Sequence, residues 1–343
     1  MENIHQILNA IQNTSNSHVL ATIIHVEGTA YLKEGTTMLF QDDGTQIGML
    51  SAGCLESDLS IRVKDVFIDG NPRTMLYDMS DETDISWGQG TGCNGNLYIT
   101  IELVDQKLKA NLLTLKKCLE EGVPVQHIKT LTKDLELISN FFYSSYINRF
   151  RDWHVDLPAA IMQVKKRNQS GVYKSNHFPL PIYTHLFLPK PRLVIFGAGP
   201  DVKPLVDFAA QTGYSVTVCD SNVEICNKYH FPNGSQFLTE TPKKAIEQLN
   251  LTSHDFIIIM THHFQKDQEI LSSLIHKNLR YLGILGPRYR TGKLLGHANI
   301  PSHLHSPIGL SIGANGPHEI AISILAELIQ CLNHPSPNPE VSR

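Results

Sequence analysis

Two cysteines of this chain sit inside glycine-rich turns, a placement that suits a stabilised thiolate and a ligand lying against bare main chain. Ser51-Ala-Gly-Cys-Leu-Glu56 runs directly into a helical pattern, so Cys54 falls near a helix N-terminus, where partial positive charge favours the thiolate. Trp87-Gly-Gln-Gly-Thr-Gly-Cys-Asn-Gly95 packs four glycines around Cys93 ahead of a strand, and main chain that bare lets a ligand lie against it. Taken singly, each cysteine also reads as a small buried apolar side chain in a tight turn. Neither has the close companions that a four-ligand zinc site needs.

A second set of candidates lies in the other half. Arg192-Leu-Val-Ile-Phe-Gly-Ala-Gly-Pro-Asp201 is an apolar β run that ends in Gly197 and Gly199, the opening of a nucleotide-binding βαβ unit. Asp220 ends the next β run, where a carboxylate binds the ribose of a non-phosphorylated dinucleotide. The third glycine of G-x-G-x-x-G is replaced by Val202, and Pro200 removes a backbone donor from the turn. Thr261-His-His-Phe-Gln-Lys-Asp267 follows another strand, so His262 or His263 becomes a candidate acid, base or ligand, with Asp267 orienting one of them or capping the next helix. Tyr281-Leu-Gly-Ile-Leu-Gly-Pro-Arg288 presents Arg288 at a further strand end, where a guanidinium suits phosphate or carboxylate. Pro307 to Glu319 is a glycine-rich loop leading into the last helix, a candidate anion or domain-contact site. His303 and His305 are not spaced for metal and read as loop residues.

These residues need elements to hold them. The pattern predicts a helix over 1–13, strands over 18–26 and 36–40, a helix after Cys54 carried by Leu55, Leu59, Val63 and Val66, and a strand over 96–103: a mixed α+β region. Residues 107–122 read as helical, and 123–185 offer short β candidates at Val123–Ile128 and Ala160–Val164. Pro179, Pro181, Pro189 and Pro191 punctuate the approach to the glycine-turn strand, which sets the domains at 1–187 and 188–343. Strands at 192–196, 214–219, 255–260 and 280–284, with a short one before Pro307, alternate with helices at 201–212, 222–229, 241–249, 266–278, 287–296 and 317–332. That alternation predicts an α/β fold, a C-terminal Rossmann-like parallel sheet.

Composition narrows the function classes. A chain of 343 residues with 41% hydrophobic and 18% charged residues builds a large core without metal or disulfide staples, and a net charge of −4 gives no electrostatic reason for a nucleic acid partner. No apolar run reaches the roughly 18 residues of a membrane span, and the N-terminus lacks the basic and apolar segments of a secretory signal, which points to the cytoplasm. The six cysteines (54, 93, 118, 219, 226 and 331) are scattered and read as thiols.

Taken in order, these motifs resemble the xanthine dehydrogenase accessory (XdhC/CoxI) family. The resemblance runs through Glu27-Gly-Thr-Ala-Tyr31, Gly35 and Met38, Ala52 to Glu56, Thr91 to Gly95, Leu188 to Gly199, Thr261-His262, Tyr281-Leu-Gly283, Gly286, Arg288, and Pro307 to Glu327. The chain departs from the family pattern at Ala52 and Asn94, where glycine is usual, and at Pro200 and Pro287, where histidine and serine are common. The resemblance implies a maturation factor that binds molybdenum cofactor (molybdopterin), holds it while a cysteine desulfurase supports its sulfuration, and delivers it to xanthine dehydrogenase in purine catabolism. It implies a homodimer, and an accessory role more than catalysis. Candidate cofactor contacts are then Gly53, Cys54 and Glu56 in the first turn and Gly92, Cys93 and Gly95 in the second, with Cys54 and Cys93 as molybdenum contacts. Gly197, Gly199, Asp220, His262, Arg288 and Glu319 complete the set. An NAD(P)-dependent oxidoreductase using Gly197, Gly199 and Asp220, with His262 as acid/base, is the alternative.

Overall fold

Residues 2–51, 53, 55–79, 94–144, 150, 170–175 and 178–333 are described by the computed structural model. The chain divides into two compact units, Met1–Pro189 and Lys190–Arg343.

The first unit is organised around β1 (His18–Thr29), whose first seven residues are all buried. Such a strand has packing on both faces. Val19, Ala21 and Ile23 face a core shared with Leu59, Val63 and Val66 of α2 (Glu56–Asp69), while Leu20 turns to the opposite core with α1 (Glu2–Asn13) and α3 (Gln106–Glu120). Asp105 caps α3 by accepting from Leu108 N at 2.7 Å. The sheet is antiparallel in the order β3-β2-β1-β5-β4, with β2 Thr37–Gln41, β3 Gln46–Ile47, β4 Arg73–Asp78 and β5 Asn94–Leu103. A second antiparallel sheet, β7-β6-β9-β8, uses β6 Val125–Leu131, β7 Leu137–Tyr143, β8 Gly171–Ser175 and β9 Phe178–Phe187. Lys129 of β6 is fully buried and pairs with Glu102 of β5, and Asn140 of β7 bridges both, accepting from Lys129 Nζ at 2.9 Å and donating to Glu102 at 2.5 Å. One buried charge pair thus ties the two sheets together.

The second unit is an α/β fold with a six-stranded parallel sheet. Its strands are β10 (Arg192–Phe196), β11 (Ser215–Cys219), β12 (Gln236–Leu238), β13 (Phe256–Ile259), β14 (Tyr281–Ile284) and β15 (Leu304–His305). Their order is β12-β11-β10-β13-β14-β15, the doubly wound 3-2-1-4-5-6 arrangement. Leu193 and Ile195 pack against α4 (Val202–Gln211) and α8 (Gly316–Asn333) on one face. Val194 and Phe196 pack on the other face, in the core that includes α5 (Pro242–Gln248) and α6 (Phe264–Leu274). Helix α7 (Arg288–Leu295) follows β14 and is closed by Gly296 in the left-handed region. No described helix is long and apolar enough to cross a membrane.

Three expectations need correction. Residues 222–229 form turns, not a helix, because asparagine side chains capture the local backbone: Asn222 accepts from Glu224 N, and Asn227 binds the Val223 and Glu224 carbonyls and the N–H groups of Tyr229 and His230. Pro179 and Pro181 lie inside β9 instead of breaking the chain; they precede Ile182, where pairing with β6 begins, so their missing N–H groups cost that ladder nothing. Helix α6 starts at Phe264, not residue 266, which makes His263 its N-cap. The candidate strand at Ala160–Val164 lies outside the described residues.

Truncating Glu102 to Ala strands the Lys129 ammonium in the core, and urea unfolding of the first unit should show a loss of about 3–5 kcal/mol. The paired replacement Glu102→Leu with Lys129→Met should recover most of it, since two matched apolar groups leave no buried charge behind.

Candidate functional site

In an open parallel sheet the ligand crevice opens where the strand order reverses, outside the carboxyl ends of the two central strands. Here those strands are β10 and β13. Gly197 leaves β10 with φ +120°, and a Cβ there would stand 2.4 Å from the carbonyl oxygen of Met260, just past β13. Only glycine allows that approach.

Three carboxylates, Asp220, Asp201 and Asp267, lie at this end of the sheet, a fourth, Glu319, opens α8, and each has defined partners. Asp220 accepts from Ala198 N at 3.3 Å and Asn222 N at 3.0 Å, while Lys266 Nζ lies 4.0 Å from it and donates to Ser221 Oγ at 3.2 Å. The groove beside Asp220, lined by Phe196, Thr261 and Lys266 among others, has about 10 Å³ of free volume, room for one water. Asp201 precedes α4 but makes no capping bond; its Oδ2 lies 2.7 Å from His262 Nε2. His262 itself takes φ +58°, a conformation that costs a non-glycine residue and that turns its ring toward Asp201. Asp267 is buried and binds Thr261 Oγ1 at 2.6 Å and Arg290 at 2.6 Å, so it orients neither histidine. Glu319 accepts from Asn315 N at 2.7 Å and closes the loop that opens α8.

Arg288 is exposed and donates to the Ser306 carbonyl at 2.9 Å, holding the start of α7 to the segment after β15. Behind that segment lies an unexpected hub. Glu327 of α8 accepts from His305 at 2.7 Å, Tyr281 OH at 2.6 Å and Gly309 N at 2.7 Å, and the Tyr281 and His305 rings stack at 4.2 Å. Burial works against the ionised form of Glu327, but the His305 and Tyr281 bonds outweigh it and hold its pKa below the ordinary glutamate value.

In the first unit, Glu56 is a fastener. Its carboxylate takes Leu50 N at 2.9 Å, Ser51 N at 2.8 Å and Ser51 Oγ at 2.5 Å, and Ser51 Oγ in turn accepts from Leu55 N at 3.0 Å. Burial opposes its ionisation, yet the Ser51 and Leu50 bonds keep its pKa low. The clasp spans the turn that contains exposed Gly53. Gly95 pairs with Gly28, and a Cβ on it would meet the Glu27 carbonyl at 2.2 Å. Asn96 donates to Glu27 at 3.1 Å beside it. Cys54, Gly92 and Cys93 lie outside the described residues.

The structure therefore gathers Gly197, Gly199, Asp220 and His262 at one crevice, and gives Arg288 and Glu319 backbone partners of their own. Asp201 and Lys266 went unrecognised in sequence as members of that crevice. Asp201 was legible as the acidic residue closing the glycine turn; the position of Lys266 depends on where α6 begins. Glu327, Tyr281 and His305 come from three separate elements, and no spacing joins them.

The sequence matches the XdhC and CoxI family over residues 12–78, the BH1974-like central domain over 106–188 and the XdhC Rossmann domain over 193–328. A Bacillus subtilis (strain 168) protein, named as a probable subunit of xanthine dehydrogenase, is 38% identical over 334 residues, 96% of this chain and 98% of that one. The chain belongs to the XdhC/CoxI family. A crystal structure of a xanthine dehydrogenase (BH1974) from Bacillus halodurans superposes with a TM-score of 0.84 at 42% identity, covering 98% of this chain and 97% of that chain. The molybdenum cofactor insertion chaperone PaoD of Escherichia coli (strain K12) is a more distant relative, 23% identical over 92% of this chain and 84% of its own length. The three matched regions assign the cysteine turn at Gly53 and the glycine turn at Gly197 to separate modules of the XdhC/CoxI chain.

Gly197→Ala should lower the thermal midpoint of the second unit, with a loss of about 2–4 kcal/mol, because no side-chain rotation relieves a Cβ against a carbonyl. For Glu327 the folded pKa lies below the unfolded one, so its stabilisation is present above the ordinary value of 4.5 and disappears as pH falls through the lower folded value. Glu327→Gln should accordingly flatten the acid limb of a plot of thermal midpoint against pH; an unchanged slope would show that the hub does not couple to folding.

Proposed function

We propose that this chain binds molybdenum cofactor and supports its sulfuration and insertion into a xanthine dehydrogenase, acting in purine catabolism. The observation that carries this reading is similarity from end to end: the chain covers most of the length of both a molybdenum cofactor insertion chaperone and a probable xanthine dehydrogenase subunit. Its partners would be the apo hydroxylase and a cysteine desulfurase, its working form a homodimer, and its compartment the cytoplasm.

The cofactor is cargo, and it brings a soft metal, a pterin and a phosphate. Cys54 and Cys93 are the thiols proposed to meet the metal. Glu56 serves that arrangement by holding the turn from Leu50 to Leu55 with three hydrogen bonds, beside the cysteine that would meet the metal. In the second unit, Gly197, Gly199, Asp201, Asp220 and His262 offer acceptors and an imidazole at the crevice, an acceptor set that fits a flat heterocycle with N–H groups.

An NAD(P)-dependent oxidoreductase is the second reading, and the specific observation favouring it is Asp220 at the end of β11 in a sheet of dinucleotide-binding order. His262 would be its acid/base, and calorimetric titration with NAD(H) and NADP(H) decides it: silence at millimolar ligand removes the reading.

For the leading proposal, the protein is purified from cells competent in cofactor synthesis, and bound pterin is oxidised and measured by fluorescence. Wild type should carry pterin, and Cys54→Ala and Cys93→Ala should each retain at least about tenfold less, the equivalent of one lost contact of about 1.4 kcal/mol. Wild-type protein without pterin, or variants equal to it, would overturn the proposal.

A further inference from the structure

The glycine turn of a doubly wound fold usually receives a phosphate, because the N–H groups opening the next helix converge on it. In this chain that cradle has fewer donors, and a negative side chain stands at it. Residues 200–204 read Pro-Asp-Val-Lys-Pro, so two of the five have no N–H, and the Val202 N–H is spent on the Gly199 carbonyl at 3.0 Å. A carboxylate lies over the turn instead: a Cβ on Gly199 would stand 2.6 Å from Asp201 Oδ1. The Asp201 side chain is 26% exposed; Oδ2 is fixed by His262 Nε2 at 2.7 Å, and Oδ1 has no hydrogen-bond partner among the described residues. A phosphate entering here would meet a negative charge at contact distance, which repels it.

What this arrangement suits is a neutral group with two parallel N–H donors. A carboxylate accepts such a pair side by side, as it does from a guanidinium fork. The 2-amino-4-oxopteridine ring presents that edge, its 2-amino group and N3–H lying next to each other. We infer that Asp201, oriented by His262, is the residue that anchors the pterin edge of the cargo, so that the glycine turn reads the heterocycle and not the phosphate. This inference rests on the molybdenum cofactor reading and specifies which part of the cargo lies at the switch point. His262 is a positioning residue: its imidazole takes one lone pair of Oδ2 and sets the carboxylate plane, which leaves Oδ1 and the second lone pair of Oδ2 for the two N–H groups.

The test uses the full chain and two fluorescent probes, 6,7-dimethylpterin and 6,7-dimethyllumazine, which differ in that lumazine has an oxygen in place of the 2-amino group. Wild type should bind the pterin at least about tenfold more tightly, one hydrogen-bond pair being worth about 1.4 kcal/mol or more. Asp201→Asn and Asp201→Ala, each checked for native circular dichroism, should abolish that preference; His262→Gln should weaken pterin binding while keeping the preference over lumazine. Inorganic phosphate at millimolar concentration should not compete. Absence of pterin binding, equal binding of the two probes, a preference that survives in both Asp201 variants, or competition by phosphate would each overturn the inference. Co-purification separates it from the broader reading: wild type loaded with cofactor and Asp201→Asn equally loaded would remove the anchor and leave the function, whereas unloaded wild type would remove the function itself.

Discussion

The pairing of β10 with β13 is the constraint on which the second unit depends. These strands come from opposite halves of the sheet, so nothing in the local chain brings them together. They are fixed at both ends. At their start, Arg192 places two nitrogens on the two Asp255 oxygens, at 2.7 and 2.5 Å, a fork geometry that sets the register as well as the distance. At their finish, Gly197 passes so close to the Met260 carbonyl that no side chain fits between. With both ends held, the ends of β11 and β13 deliver Asp220 and His262 to the same opening, and α4 delivers Asp201. Loosening either end would move all three side chains relative to one another.

Carboxylates do most of the positioning in this chain, and their burial decides what each can still do. Asp267 is almost fully buried and holds Thr261 and Arg290, so it is structural despite its place beside two histidines. Glu327 and Glu56 each collect three donors, and their pKa values fall below the ordinary range in spite of burial, which means that hydrogen bonding outweighs desolvation in both. Asp201 differs. It is partly exposed and carries a single side-chain partner among the described residues, so it retains an acceptor to offer. Occupancy of lone pairs, more than proximity to a glycine turn, separates the acids that build the fold from those that keep an acceptor for a ligand.

The elements with strong periodicity are legible from sequence alone. The spacing of Leu55, Leu59, Val63 and Val66 places α2, and the alternation of apolar runs with helical stretches gives the parallel sheet of the second unit. What escapes is set by side chains acting locally or by partners far away. Asn222 and Asn227 divert a helical pattern into turns through hydrogen bonds that propensity does not register. Pro179 and Pro181 look like breakers because a sequence does not say which residues of a strand lack a neighbour. The site divides the same way. Gly197, Gly199, Asp220 and His262 follow from the rule that ligands meet strand ends, whereas the Glu327 hub joins residues 281, 305, 309 and 327, separated by up to 46 positions in the chain.

A fold built to hold a dinucleotide can be turned toward other cargo without altering its sheet. The strand order, the first glycine and the acidic end of β11 are kept here, and each serves packing or the closing of the turn: Asp220 binds Ala198 N. The changes fall on groups that packing does not demand. Pro200 and Pro204 delete donors without disturbing helix α4, because the first turn of a helix leaves those N–H groups unpaired in any case. Val202, in place of the third glycine, is fully buried and contributes to the core shared by the helix and the sheet. Asp201 then reverses the local charge at a position stabilised by the helix dipole. Each substitution is tolerated by the scaffold, and together they convert an anion cradle into an acceptor site, so the direction of the change is toward a ligand that donates hydrogen bonds.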